Sequence, residues 1–190
     1  MIPFKFQRGF TLLELIITIV VVAVITASVS GTWGVLVERY TRYAVQSTLS
    51  QTFASARSSA VKFAEITTIC PLDDTMQCSR DWDRQLTVFL DPMNERALTG
   101  DTEIVQIFEI PENGRIKASK SGPMERRYFQ YNPNGTARGT LGNLVWCPHS
   151  RDPSAAIQLR MNFGGRITWA RDSDQDSVKE DAQGQPLVCP

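Results

Sequence analysis

Two hydrophobic patterns divide the chain. From Leu15 to Val29 the sequence runs LIITIVVVAVITASV, uncharged and apolar all round, and apolar character resumes at Trp33, Val35, Leu36 and Val37. At about 1.5 Å rise per residue, roughly 20 residues cross a hydrocarbon core about 30 Å thick, so this segment is long enough to span a bilayer as one helix. Further on, Leu49, Phe53, Ala56, Ala60, Phe63 and Ala64 recur at three- and four-residue steps, which predicts helix to about residue 64 with one face packed on a domain. Past residue 65 the pattern changes to short runs that predict strands over 86–90, 104–110, 127–131, 144–147, 156–161 and 166–169. Turn residues separate them at Asp91-Pro92, Asn113-Gly114, Asn132 to Gly135, Pro148 and Gly164-Gly165. The expectation is an α+β protein. A long N-terminal helix over 10–64, membrane-spanning over 10–37, packs on a mostly antiparallel β domain over 65–190.

Charge gives the first helix an orientation. Lys5 and Arg8 precede it without an acid, which by the positive-inside tendency keeps the first nine residues cytoplasmic and sends the rest outward. A cleaved secretory signal fits less well, because the apolar run is longer than a usual signal core and no A-x-A-like site ends it. Composition agrees with a single globular core beside one apolar segment: 190 residues, 42% hydrophobic and 21% charged, exclude wholesale disorder and a polytopic membrane protein. Between Phe10 and Val37 the one charge is Glu14. A carboxylate there is costly in hydrocarbon unless it is paired.

Arg8-Gly9-Phe10-Thr11-Leu12-Leu13-Glu14-Leu15 resembles the processing site of type IV prepilins and type II secretion pseudopilins: a short basic leader, Gly, then Phe opening a helix with Glu four residues on. The resemblance implies that an inner-membrane prepilin peptidase cuts between Gly9 and Phe10, releasing residues 1–9, and methylates the new amine. It also implies that Glu14 pairs with the terminal amine of a neighbouring subunit during assembly, where mismatched register would strand both charges in low dielectric. Many pilins carry Pro where this chain has Gly31; Ser30-Gly31-Thr32-Trp33-Gly34 keeps helix-weakening residues without it.

Within the helix, Ala56-Arg57-Ser58-Ser59-Ala60-Val61 resembles the A-R-S-E-A-hydrophobic segment of the GspH/FimT/FimU family of minor pilins and pseudopilins, with Ser59 in place of Glu. Trp82, Val88-Phe89-Leu90-Asp91 and Asn94 look like its W…VF.D..N element, and Tyr131-Asn132-Pro133-Asn134-Gly135 like its F.P.G element. With Gly165-Arg166-Ile167 the resemblance covers nearly the whole chain. It implies a pilin-like fold and a structural, non-catalytic role that aids initiation of pilus assembly. The implied partners are other major and minor pilins, the prepilin peptidase and the inner-membrane assembly platform. The implied location is the inner membrane, with a single pass and a periplasmic domain, and after assembly the pilus or cell surface.

Cys70, Cys78, Cys147 and Cys189 allow three pairings, and an oxidising compartment favours disulfides. Cys70 with Cys78 would close a short loop; Cys147 with Cys189 would tie the charged tail to a strand, similar to the disulfide-bounded C-terminal region common in pilins. A zinc site is the weaker alternative, because no C-x-x-C occurs and the one histidine is His149. The chain also lacks G-x-S-x-G, H-E-x-x-H, a P-loop and a dinucleotide fingerprint, so neither an enzyme nor a cofactor is expected. Asp172-Ser173-Asp174-Gln175-Asp176 imitates the opening of a calcium loop, but Ser177 stands where a turn Gly belongs and Gln183 where a bidentate Glu belongs. No metal is expected.

Residues 115–171 hold ten basic residues against Glu125 and Asp152, a net of plus eight. Such a stretch attracts polyanions if it forms one face, and Trp169 or Tyr128 would stack on bases if exposed. The FimT side of the family includes DNA receptors for natural transformation with a C-terminal G-R-x-R motif. Gly165-Arg166-Ile167-Thr168 keeps its first half, with Arg160 and Arg171 nearby in sequence. The functional expectation is therefore a minor type IV pilin, with a DNA-binding receptor and a type II secretion pseudopilin as alternatives.

Overall fold

The computed structural model describes residues 9–30, 33–100, 102–139 and 141–189. Lys5, Arg8, Gly31 and Thr32, on which the leader and helix-weakening expectations rest, lie outside them. The chain divides into two compact units, one up to Val37 and one from Glu38 onward.

The first unit consists of α1 (Leu12–Ser30) and the first residues of α2 (Trp33–Phe63). Large apolar side chains from Leu12 to Ile25 are exposed on every side of α1. A helix apolar all round has no face designed for water, so its stability in a folded assembly comes from lipid or from other helices. Among the described residues no helix is long and apolar enough to cross a membrane. At the standard rise the 19 residues of α1 reach about 28 Å, just short of a hydrocarbon core about 30 Å thick.

In the second unit, α2 buries Thr41, Val45, Leu49, Phe53, Ala56 and Ala60. Their three- and four-residue steps fall on one helix stripe. The chain then builds β1 (Thr67–Pro71), β2 (Leu86–Leu90), β3 (Ile104–Phe108), β4 (Gly114–Ala118), β5 (Lys120–Ser121), β6 (Met124–Glu125), β7 (Phe129–Tyr131), β8 (Gly142–Pro148), β9 (Ile157–Met161) and β10 (Ile167–Trp169). One sheet runs β3-β2-β1-β7, a second runs β10-β9-β8-β4, and β5 pairs with β6. Every pairing is antiparallel.

Both four-stranded sheets and α2 share one core. Val45, Leu49, Phe53, Ala56 and Ala60 of the helix meet Ile69, Leu86 and Val88 of the first sheet and Ile116, Leu144, Trp146 and Leu159 of the second. Phe129 sits at the junction: its ring meets Phe53 at 5.2 Å and Trp82 at 5.5 Å, both edge to face, the favoured geometry for aromatic pairs. The Trp82 indole N–H donates to the Arg126 carbonyl at 2.8 Å, so the ring is buried without stranding its polar atom.

Strands β1 and β4 were not expected from the sequence. β1 is the second-innermost strand of its sheet and is buried at every position, so TTICP shows no alternation and its two threonines read as polar loop. β4 begins at the Asn113-Gly114 turn, where Asn113 adopts φ 80°. Gly114 is required there, because a Cβ would overlap the Trp146 indole nitrogen. β3 stops at Phe108, two residues before the expected end.

Two disulfides close the domain, Cys70–Cys78 and Cys147–Cys189, with Cα separations of 5.4 and 5.6 Å. The second straps the tail to β8, and Leu187 joins Cys147, Ala156 and Ala170 in a small apolar cluster.

Candidate functional site

At the N-terminal motif, Gly9 and Phe10 precede α1 outside regular secondary structure, both exposed, Phe10 at 78%. Glu14 lies in the first turn of α1. Its backbone N–H donates to the Thr11 hydroxyl at 3.2 Å. Thr11 and Glu14 thus stand at the two ends of a T-x-x-E capping pattern, with an acid where the helix dipole favours one, worth about 0.3–1 kcal/mol. The sequence carried that spacing, and the capping role of Thr11 was missed beside the stronger processing motif.

The segments that resemble family elements make specific contacts. Arg57 in α2 donates from its guanidinium to the Gly164 carbonyl at 3.1 Å, and the Tyr131 hydroxyl donates to the Gly165 carbonyl at 3.1 Å. Helix and first sheet thereby clasp the turn between β9 and β10. Gly165 has φ 72°, and a Cβ there would overlap the Gly135 carbonyl oxygen, so the β9–β10 turn needs glycine at this contact. Burial pushes the Tyr131 phenol well above its ordinary range. Ser59 is buried on α2.

Asp91 is fully buried. Its carboxylate accepts from the Thr68 hydroxyl at 2.8 Å, from the Glu95 and Arg96 N–H groups at 2.7 and 3.1 Å, and from Gln130 at 3.2 Å. Asn94, at φ 57°, accepts from the same Gln130 amide at 2.9 Å. The D..N spacing therefore serves a loop pinned across β1, β2 and β7, not chemistry.

The basic residues do not form one face. Arg126 is buried and lies over the Phe129 ring at 5.2 Å, and its burial pushes the guanidinium below its ordinary value. Arg160 and Arg171 line a cavity that also contains Glu180 and Asp181. Arg166 is exposed and does not line that cavity. Trp169 and Tyr128 are half-buried against core clusters; Trp169 also lines the cavity of Arg160 and Arg171, and the Arg96 guanidinium lies 4.6 Å from the Tyr128 centroid. Lys179 donates to the Ser154 and Ala156 carbonyls at 3.3 and 3.0 Å, and burial pushes its ammonium down. His149 is exposed in the turn after β8.

In the C-terminal loop, carboxylate oxygens of Asp172, Asp174, Asp176 and Glu180 lie within 4.8 Å of one another. Each already caps its own loop: Asp172 accepts from Gln175 and Ser177 N–H, Asp174 from Asp176, Asp176 from Val178, and Glu180 from Ser173. Ser177, at the position where a calcium loop keeps Gly, has φ 76°. The alternate acids thus hold the backbone turns of this loop.

Comparison with known proteins finds that the family described as type II transport protein GspH matches residues 46–165. The prokaryotic N-terminal methylation motif matches residues 4–30. No curated protein sequence matches the chain. Among solved structures, the chain is similar to the type IV minor pilin FimU of Pseudomonas aeruginosa, at 20% identity and TM-score 0.48, over 78% of this chain and 97% of that one. It is similar also to the minor pseudopilin EpsH from the type II secretion system of Vibrio cholerae, at 12% identity and TM-score 0.49, over 74% of this chain and 99% of that one. Likeness this distant carries no weight between the two functions.

Proposed function

Because the chain belongs to the GspH family, whose match covers most of it, and carries the N-terminal methylation motif, we propose that it is a minor type IV pilin that aids initiation of pilus assembly. The observation that carries this reading is α1 itself: a helix exposed and apolar on all sides, preceded by Gly9-Phe10 and opened by Glu14. Such a helix needs lipid before assembly and other helices after it, and a pilin has both in turn. In this reading the chain is held in the inner membrane by α1, with its domain in the periplasm. Prepilin peptidase cuts between Gly9 and Phe10 and methylates Phe10. Glu14 then sets register against the terminal amine of a neighbouring pilin, as the chain passes through the inner-membrane assembly platform. Its role is structural and non-catalytic. The strapped C-terminal tail supports a pilin over a secretion pseudopilin, because it is similar to the disulfide-bounded region common in pilins.

The experiment is a count of surface pili on cells with a clean deletion of the gene, beside complemented cells. Loss of pili restored by the intact gene is expected. Normal piliation would overturn the assembly role and shift weight to secretion or to a DNA receptor. The DNA reading has one observation in its favour: by strand alternation Arg160 and Arg166 project from the outer face of the β9–β10 pair, where Thr168 opposes Arg160.

A further inference from the structure

The outer face of β4 and β8 forms a cavity of about 580 Å³. Arg115, Lys117, His149 and Arg151 surround it, with Val145 and Val188 as apolar walls. The register explains the gathering. Arg115 opposes Cys147 and Lys117 opposes Val145 across the β4–β8 ladder, so both cations project on the side where Val145 projects. The turn after β8 brings His149 and Arg151 to the same side, and the Cys147–Cys189 disulfide holds neighbouring Val188 over it. No carboxylate lines the cavity, and its one aromatic ring is the His149 imidazole.

These cations have no other task. The side chains of Arg115, Lys117 and Arg151 take part in no hydrogen bond or ion pair among the described residues, whereas Arg57, Arg80, Arg138 and Lys179 all donate within the domain. Two acids of the neighbouring segments, Glu38 and Asp152, accept from Ser150 and from the Ser154 N–H and do not line the cavity. Three unpaired cations around an apolar wall form a concave positive site in a chain whose formal net charge is zero.

We propose that this cavity takes an acidic segment of a partner polypeptide, its carboxylates on Arg115, Lys117 and Arg151 and an apolar side chain between them against Val145 and Val188. Charge complementarity names the occupant. A single strand of nucleic acid binds by stacking successive bases on aromatic rings, whereas this cavity offers the His149 imidazole alone beside the aliphatic walls of Val145 and Val188, which suit an apolar side chain. The site is separate from the Arg160 and Arg171 cavity, where Glu180 and Asp181 already supply negative charge. It goes beyond the pilin reading and does not depend on it.

The test uses the full chain in a neutral detergent and a fluorescein-labelled, end-blocked peptide of alternating glutamate and valine, read by fluorescence anisotropy at low salt. Binding is expected, with none for the peptide in which lysine replaces glutamate. The double variant Arg115→Gln, Lys117→Gln should weaken binding by roughly tenfold, as loss of two partly exposed charge contacts does. Arg166→Gln should leave it unchanged. All three cations are exposed, so the variants are expected to fold, with circular dichroism melts as the check. Val188→Asp, at a side chain 74% exposed, places an acid on the wall and should also repel the peptide. Absence of binding by the folded chain, or equal binding by the double variant, would overturn the proposal. So would a single-stranded oligonucleotide that displaces the peptide and binds more tightly through the same residues, which would make this a nucleic-acid site.

Discussion

Asp91 shows how much one side chain holds in this domain. Its carboxylate satisfies two backbone N–H groups of the loop after β2 and bridges that loop to β1 and β7. Asp91→Ala strips the buried Thr68 hydroxyl and the part-buried Glu95 and Arg96 N–H groups of their acceptor, and each donor left unmatched away from water costs about 1–3 kcal/mol. We expect a stability loss of about 3 kcal/mol or more in urea melts; a loss below about 1 kcal/mol would show that water replaces the carboxylate. Asp73 acts on a smaller scale inside the Cys70–Cys78 loop. The Thr75 hydroxyl, then the Gln77 N–H, donate to its carboxylate and hold its pKa below the ordinary aspartate value. A depressed carboxylate stabilises the fold above the unfolded pKa and loses that contribution as pH falls through the folded one. Amide exchange at Thr75 and Gln77 should therefore be slow at pH 5 and accelerate below about pH 3.9. Exchange that is flat across that range, after correction for intrinsic rates, would rule this cap out.

At the scale of elements, the two disulfides divide the work unequally. Cys147–Cys189 spans 42 residues and Cys70–Cys78 spans 8. The chain-entropy account assigns about 4 kcal/mol to the longer loop and about 2.5 to the shorter. A Cys147→Ser, Cys189→Ser variant should therefore melt below a Cys70→Ser, Cys78→Ser variant, and the reverse order in calorimetry would refute that assignment. The elements differed in how far the sequence announced them. α2 was legible because Leu49, Phe53, Ala56 and Ala60 repeat at helix spacing and are all buried. β8 and β9 were legible because Leu144, Trp146, Ile157 and Leu159 point inward at alternate positions. β1 was not, because a strand covered on both faces loses its alternation, and its Thr68 is buried against an acid 23 residues away. The plus-eight stretch does not map onto one face for a related reason: Arg126 turns into the core while Arg115 and Lys117 turn out, which linear charge counts do not show. The N-terminal methylation motif is legible because it is contiguous; the cavity around Arg115 and Arg151 is not, because tertiary register assembles it.

For the whole molecule, the division of labour follows from where apolar surface is spent. The domain covers its own core with two sheets and α2, whereas α1 keeps its large apolar side chains from Leu12 to Ile25 exposed. The first is closed by its own side chains and two disulfides; the second leaves its apolar surface to be covered by something else. The way α2 is seated also has a mechanical meaning. Val45, Leu49, Phe53, Ala56 and Ala60 form one buried row along its length, and Arg57 latches its far end to Gly164. A pull on the N-terminal end of α2 runs along that row. It loads the contacts in shear, several at once, instead of peeling them singly, so rupture would have to slide a whole helix face past two sheets. Tension on α2 is then shared by the hydrophobic core before any strand hydrogen bond carries it.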